Sequence, residues 1–324
     1  MNDDSATAIR RVAVIGTGVI GAGWAARFLA NGLEVVASDP APDARANLHA
    51  SIAGACEPLE RLGLAMAGWE RRLSFEPDVS AAVAGAGLVQ ESAPEREALK
   101  RDLLERIDAA APAGALIASS SSGLLPSRLQ AGCRHPERVF IAHPFNPVYL
   151  LPLVELVGGE RTAADTLARA QAFYRHLGMR PLVVRKEIEG YIADRLMEAL
   201  WREALHLVND GVATTEEVDA AVTYGAGLRW ALMGTYLTFH LAGGEAGMRH
   251  MLEQFGPALK LPWTHMDAPA LSEELIERIV AGCEHQAAGR DVHTLARRRD
   301  DFLVRLLSLV REYWPEQEGL TGRI

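Results

Sequence analysis

The stretch Arg11-Val12-Ala13-Val14-Ile15-Gly16-Thr17-Gly18-Val19-Ile20-Gly21 decides the fold. A short β-branched run leads into glycines spaced Gly-x-Gly-x-x-Gly. An apolar segment with helical spacing follows from Ala22 to Ala30, with Trp24, Phe28 and Leu29 on one side. Gly32 fits a left-handed cap after that helix. Leu33 to Ser38 then reads as a second strand, ending at Asp39. The glycine spacing alone says little. Set between a strand and a helix, with an acid closing the next strand, it is a dinucleotide-binding fingerprint. Gly16 permits the tight turn, Gly18 lets a pyrophosphate approach the helix N-terminus, and Gly21 lets helix and strand pack closely. Thr17, Val19 and Ile20 complete the loop. Asp39 is placed to accept hydrogen bonds from ribose hydroxyls and would repel a 2′-phosphate, so NAD is expected rather than NADP.

Outward from this loop, strand and helix patterns alternate. A long helix is expected between Asp43 and Leu64 and a weak strand near Leu73–Phe75. Further strands are expected at Gly87–Gln90, Ala115–Ala118 and Val139–Ala142, and Pro181–Val184 reads as the last strand. This alternation predicts an α/β fold, a Rossmann-type doubly wound and mostly parallel sheet. The character changes near Arg185-Lys186-Glu187. From Ile192 to Asp210, Ile192, Leu196, Leu200, Ala204 and Leu207 line one helical face, widened by Met197 and Trp201. Thr214 with Glu217 makes a capping box for the next helix. The remainder is helical in pattern, so residues 1–187 are expected to form the dinucleotide-binding domain and residues 188–324 an all-helical second domain. The surplus of apolar residues on these later helices predicts a homodimer.

The 324 residues suffice for two domains with a sizeable core, and no apolar run reaches the length of a membrane span. The N-terminus lacks a hydrophobic signal region, and the three scattered cysteines fit reduced thiols, so a cytoplasmic location is expected. No metal-ligand spacing is present. A net charge of −9 argues against a nucleic-acid partner and mildly favours a cationic small-molecule substrate.

Two polar residues stand out in apolar surroundings. His143, in His143-Pro144-Phe145-Asn146-Pro147, sits just past the Val139–Ala142 run, and Glu155 lies within a second run from Tyr149 to Val157. A histidine held by a carboxylate makes a general base that works near neutral pH. The residues alone equally allow a buried polar pair that only satisfies itself. Ser119-Ser120-Ser121-Ser122-Gly123 follows another strand. In a doubly wound sheet, ligands bind beyond the carboxyl ends of strands, which places the serine-rich turn and His143 at one edge.

With these strings on the page, the chain resembles the 3-hydroxyacyl-CoA dehydrogenase superfamily over nearly its whole length. The resemblance runs through GTGVIG, the serine-rich turn, HPFNP, the Glu155 segment and EGYIADRL. Longer strings, such as HPFNPVYLLPLVELVGGERT and GAGLRWALMGTYLT, are most similar to members that oxidise the 3-hydroxyl of L-carnitine to 3-dehydrocarnitine with NAD. The resemblance implies His143 as base, Glu155 as its carboxylate partner and Ser122 as a hydrogen-bond partner of the substrate oxygen. It also implies that Ser120 belongs to the cofactor side, that Asn146 lies near the nicotinamide carboxamide, and that Glu95 and Lys100 face the cofactor. Where many relatives have asparagine, this chain has Asp194. An ionised aspartate cannot donate to a substrate oxygen. It could hold the base, offset a substrate cation, or cap a helix or pair with an arginine. Arg229 suits a substrate carboxylate, as its fork pairs with one, and related sugar-acid dehydrogenases are expected to carry an arginine there. A surface or interface arginine is the other reading. A trimethylammonium group is recognised by aromatic faces. Phe145, two residues from the base, and Trp230, beside Arg229, stand out among aromatics that otherwise suit packing. Another small 3-hydroxy acid or a 3-hydroxyacyl-CoA are the alternative substrates, and an inactive crystallin-like NAD-binding protein is the alternative of another class.

Overall fold

A computed structural model describes residues 9–313 apart from 258–260, 265, 266, 268, 269 and 271. It divides into two compact units, Met1–Asp194 and Arg195–Ile324.

The first unit is built on an eight-stranded sheet in the order β3-β2-β1-β4-β5-β6-β7-β8. The strands are β1 (Arg11–Ile15), β2 (Glu34–Ser38), β3 (Leu73–Phe75), β4 (Leu88–Glu91), β5 (Leu116–Ser119), β6 (Val139–Pro144), β7 (Leu153–Gly158) and β8 (Arg180–Val184). All neighbours run parallel except β6 and β7, which pair antiparallel. The helices of this unit are α1 (Val19–Ala30), α2 (Ala44–Arg61), α3 (Val79–Val83), α4 (Glu97–Ala110), α5 (Pro126–Leu129) and α6 (Ala164–His176). Alternation along β1 sends Val12 and Val14 to one face and Ala13 and Ile15 to the other, and each face feeds its own core. Trp24 and Phe28 of α1, Leu48 and Ile52 of α2 and Phe173 and Tyr174 of α6 fill the first core. Leu103, Leu104 and Ile107 of α4 pack into the second, with Ala82, Val83 and Leu129. A sheet covered on both faces explains why its strands read as continuous apolar runs.

The second half of the sheet differs from expectation in one respect that matters for the site. His143 lies inside β6, not past its end, and the antiparallel joint places it directly opposite Glu155 in the register. The compact unit also runs past residue 187. Tyr191 donates its hydroxyl to the Leu124 carbonyl at 2.9 Å, and Glu155 accepts from the Ile192 and Ala193 N–H groups at 2.9 and 3.0 Å. These bonds hold residues 191–193 to the sheet.

The second unit comprises α7, which begins at the boundary (Ala193–Asn209), α8 (Thr215–Ala221), α9 (Gly227–Ala242), α10 (Gly247–Phe255), α11 (Glu273–Ala287) and α12 (Val292–Tyr313). Thr214 and Glu217 form the expected capping box, whose Thr214 backbone N–H holds the Glu217 carboxyl below the usual range. A break at Gly234, with φ of 65°, interrupts α9. On α7 none of the residues of the expected apolar stripe is buried, and the buried residues lie beside it. Leu205 and Val208 are buried, whereas Leu196, Met197, Leu200 and Trp201 are exposed. No described helix is long and apolar enough to cross a membrane.

Candidate active site

The glycine loop forms a cradle at the start of α1. Gly16 has φ of +89°, and a Cβ there would meet the Ser92 backbone at 2.7 Å. A Cβ on Gly21 would lie 1.9 Å from the Gly16 carbonyl oxygen, so helix and turn touch through hydrogen atoms only. Gly18 is different: its φ is −61°, and a Cβ would meet nothing of the protein within 4 Å. Neither backbone strain nor internal packing calls for glycine there. The space in front of the helix N-terminus, where N–H groups and the helix dipole favour an anion, fits a pyrophosphate. Asp39 ends the next strand. Its Oδ2 accepts from the Thr17 N–H at 2.7 Å and from the Thr17 hydroxyl at 3.2 Å, while Oδ1 accepts from the Ala41 N–H at 2.9 Å. A carboxylate has about four acceptor positions, so one on Oδ1 remains for a ribose hydroxyl. Val19 is exposed and Ile20 half-buried at the rim of this cradle.

Beyond β5 the serine-rich turn is fastened by buried polar groups. The Ser120 hydroxyl accepts from Trp24 Nε1 at 3.1 Å and from Gln90 Nε2 at 2.9 Å, and pairs with the Ser92 hydroxyl at 2.9 Å. Glu95 Oε1 accepts from the Ser121 hydroxyl at 2.5 Å and from the N–H groups of Ser122 and Gly123 at 3.0 and 3.2 Å. Its Oε2 lies 3.5 Å from Lys100 Nζ. Lys100 is 1% exposed and donates to both oxygens of the fully buried Glu91, at 2.9 and 3.1 Å. Glu91 also accepts from the Ala93 N–H at 2.6 Å and from the Ser119 hydroxyl. Lys100 therefore points into this network, and of the Glu95–Lys100 pair only Glu95 is open to solvent. Glu91, Ser119 and Ser121 escaped the sequence reading, which considered Ser119 and Ser121 only as parts of a turn. The one signal available was an acid closing the apolar strand Leu88-Val89-Gln90-Glu91.

The two standout residues meet. His143 Nδ1 lies 3.0 Å from Glu155 Oε2, and both side chains are buried. The other Glu155 oxygen is occupied by the N–H groups of Ile192 and Ala193, so the carboxylate is fixed from two sides. A carboxylate on Nδ1 sets the imidazole's tautomer and leaves Nε2 as the acceptor. On that side Asp194 Oδ2 is 3.5 Å from Nε2. Phe145 meets the imidazole edge-on with ring centroids 5.2 Å apart, and Tyr191 packs against it at 5.5 Å. Burial pushes the Tyr191 phenol well above its ordinary value, so it stays protonated as the donor to Leu124. Ser122 and Asn146 are exposed beside this edge, each in a loop that follows a strand end.

Arg229 and Trp230 belong to the second unit, near the start of α9, and both are exposed. They follow a π-helical segment, Val222–Ala226. Among the described residues, no group of three or more His, Cys, Asp or Glu side chains is arranged to hold a metal ion.

A site for a hydride acceptor and a histidine ready for a proton, both at the carboxyl edge of one sheet, are what NAD-linked oxidation of a CH–OH group requires. The fold and the site thus define an NAD-dependent oxidoreductase. Residues 11–188 match the NAD binding domain of 3-hydroxyacyl-CoA dehydrogenase and residues 190–282 its C-terminal domain, and the chain belongs to that family. It is 60% identical over 307 residues to the L-carnitine dehydrogenase of Oceanobacillus iheyensis, covering 95% of this chain and 100% of that one. It is 58% identical over 306 residues to the L-carnitine dehydrogenase of Pseudomonas aeruginosa, covering 94% and 95%. Among solved structures it is similar to the NAD+-dependent dismutase 5-formyl-3-hydroxy-2-methylpyridine 4-carboxylic acid 5-dehydrogenase, with a TM-score of 0.78, 29% identity and coverage of 94% and 99%. It is also similar to (S)-3-hydroxybutyryl-CoA dehydrogenase from Ralstonia eutropha, with a TM-score of 0.62, 26% identity and coverage of 87% and 95%.

Proposed function

We infer that the protein oxidises the 3-hydroxyl of L-carnitine to 3-dehydrocarnitine with NAD. Identity of 51–60% to relatives named L-carnitine dehydrogenase supports the substrate. The observation that carries the chemistry is the His143–Glu155 pair, 3.0 Å apart at the edge where the glycine cradle opens. NAD, when bound, supplies the hydride acceptor. His143 Nε2 takes the hydroxyl proton, while Glu155 keeps Nδ1 protonated and balances the imidazolium that forms. Ser122 orients the substrate oxygen from a turn that Glu95 holds by two backbone N–H groups. Asp39 takes the adenosine ribose, and Asn146 serves the nicotinamide carboxamide. Arg229 is the proposed partner of the substrate carboxylate, and Phe145 and Trp230 are the proposed partners of its trimethylammonium group.

Purified protein should form NADH from NAD and L-carnitine, and do so far more slowly from NADP. Turnover of 3-hydroxyacyl-CoA with none of carnitine would overturn the substrate, and no turnover of any 3-hydroxy acid would favour an inactive nucleotide-binding role. The exposed Leu196, Met197, Leu200 and Trp201 on α7 support a homodimer formed through the helical unit. A monomer by light scattering would refute it. A cytoplasmic location accords with three cysteines that form no disulfide.

A further inference from the structure

We propose that Ser92, just past β4, donates a hydrogen bond to the nicotinamide-side ribose of the bound cofactor, aimed there by a chain of polar groups running back to Tyr174. Donor counting fixes the direction of this chain. A hydroxyl has one hydrogen and two acceptor positions. Trp24 Nε1 can only donate, and it takes one acceptor position of the Ser120 hydroxyl at 3.1 Å. Gln90 lies between Tyr174 and Ser120, 2.6 Å from the phenol oxygen and 2.9 Å from the Ser120 hydroxyl. The shorter distance suits O–H to a carbonyl oxygen, and the longer one suits amide N–H to a hydroxyl. The opposite amide orientation would also leave the phenol hydrogen of fully buried Tyr174 without an acceptor among the described residues. Burial raises that phenol well above its ordinary value, so it keeps the proton it donates. Both acceptor positions of Ser120 are therefore filled, by Trp24 and Gln90, and its hydrogen goes to Ser92, 2.9 Å away. The Ser92 hydroxyl accepts within the protein, and its own hydrogen has no protein acceptor among the described residues.

This hydroxyl stands at the glycine cradle. Ser92 is half-buried, its N–H donates to the Ile15 carbonyl at 2.6 Å, and its backbone is what a Cβ on Gly16 would strike. A Cβ on Gly21 would come to 3.4 Å from the Ser92 Cβ. The sheet order decides which half of the dinucleotide passes here. β2, closed by Asp39, lies on one side of β1, and β4 lies on the other. With the adenosine ribose at Asp39 and the pyrophosphate at the head of β1, the second ribose comes next, at the end of β4. That placement rests on the role proposed above for Asp39. Ser120 was expected on the cofactor side, but its bonding capacity is used up within the protein. It acts through Ser92, as a positioning residue.

The test measures binding by calorimetry with two truncated cofactors: ADP-ribose, which keeps the second ribose, and ADP, which lacks it. Ser92→Ala should weaken ADP-ribose about three- to tenfold, the size of one neutral hydrogen bond, and leave ADP unchanged. Both are titrated into one preparation, so the ratio of their affinities is independent of the fraction folded. In the Ser92→Ala background, Ser120→Ala should not change that ratio further. An equal loss on ADP, or no loss on ADP-ribose, would overturn the proposal. So would a further fall in the ratio when Ser120 is removed, since Ser120 would then touch the cofactor itself. Asp39→Asn, by contrast, should weaken ADP and ADP-ribose alike. If it spares ADP, the adenosine half does not lie at Asp39, and the assignment of the ribose falls with that placement.

Discussion

Two buried carboxylates at the carboxyl edge of the sheet each face a basic side chain, and the two pairs are built to opposite ends. Glu91 faces Lys100, whose ammonium donates to both Glu91 oxygens and lies 3.5 Å from Glu95. Glu155 faces His143, but only Nδ1 is taken up by it, and Nε2 points to the open side where Asp194 lies 3.5 Å away. The saturated pair has nothing left to offer a reactant, so its influence is confined to what it holds, the Ser121–Gly123 turn through Glu95. The unsaturated pair keeps one acceptor for a proton. Burial of a carboxylate with a basic partner therefore says little by itself about chemistry. What distinguishes the two is whether a polar atom is left over after the protein's own hydrogen bonds are counted.

Substitutions should separate the two pairs. His143→Ala should lower turnover by about 10²–10⁴-fold, the range for loss of a positioned acid–base group, with NAD affinity unchanged by fluorescence titration. Unchanged turnover would remove His143 from the base role. Lys100→Met should act first on stability, costing about 3–5 kcal/mol by urea unfolding, because it strands the Glu91 charge in the core. The double variant Glu91→Leu/Lys100→Met should regain much of that loss. If the single variant instead unfolds like the wild type yet fails to turn over, the two pairs are not different in kind. The smallest effect is expected for Tyr191→Phe, which deprives the Leu124 carbonyl of its donor: about 1 kcal/mol in thermal unfolding, with kcat changed only a few-fold.

Much of the edge was legible because its signals are local. The glycine spacing between Ile15 and Gly21, the acid closing β2 and the serine run after β5 each announce themselves within a few residues. His143 and Glu155 were visible as polar residues in apolar runs. Their contact was not, since it depends on β7 returning antiparallel in a register that pairs residues 12 apart, and register is a property of two strands together. The Glu91–Lys100 pair was hidden for a related reason. Lys100 sits on α4 in an otherwise charged segment, and its burial follows from how that helix lies on the sheet, which its own periodicity does not reveal. On α7 the helical spacing of the apolar residues is as expected, but spacing does not state what covers a face. Five of the seven stripe residues are exposed and Ala204 and Leu207 are half-buried, while the buried residues of the helix, Leu205 and Val208, lie beside the stripe.

The Glu155 carboxylate looks two ways, with one oxygen on the base and the other on the backbone of Ile192 and Ala193. That arrangement makes residues 191–194 a seam for anyone exchanging helical units within the family. A chimera joined at residue 187 would import foreign residues as the donors that fix the base's carboxylate, and with them a foreign side chain at the Asp194 position. A join made after Asp194 would carry the proton-handling edge across intact, and only then would a change in substrate preference report on the incoming helices.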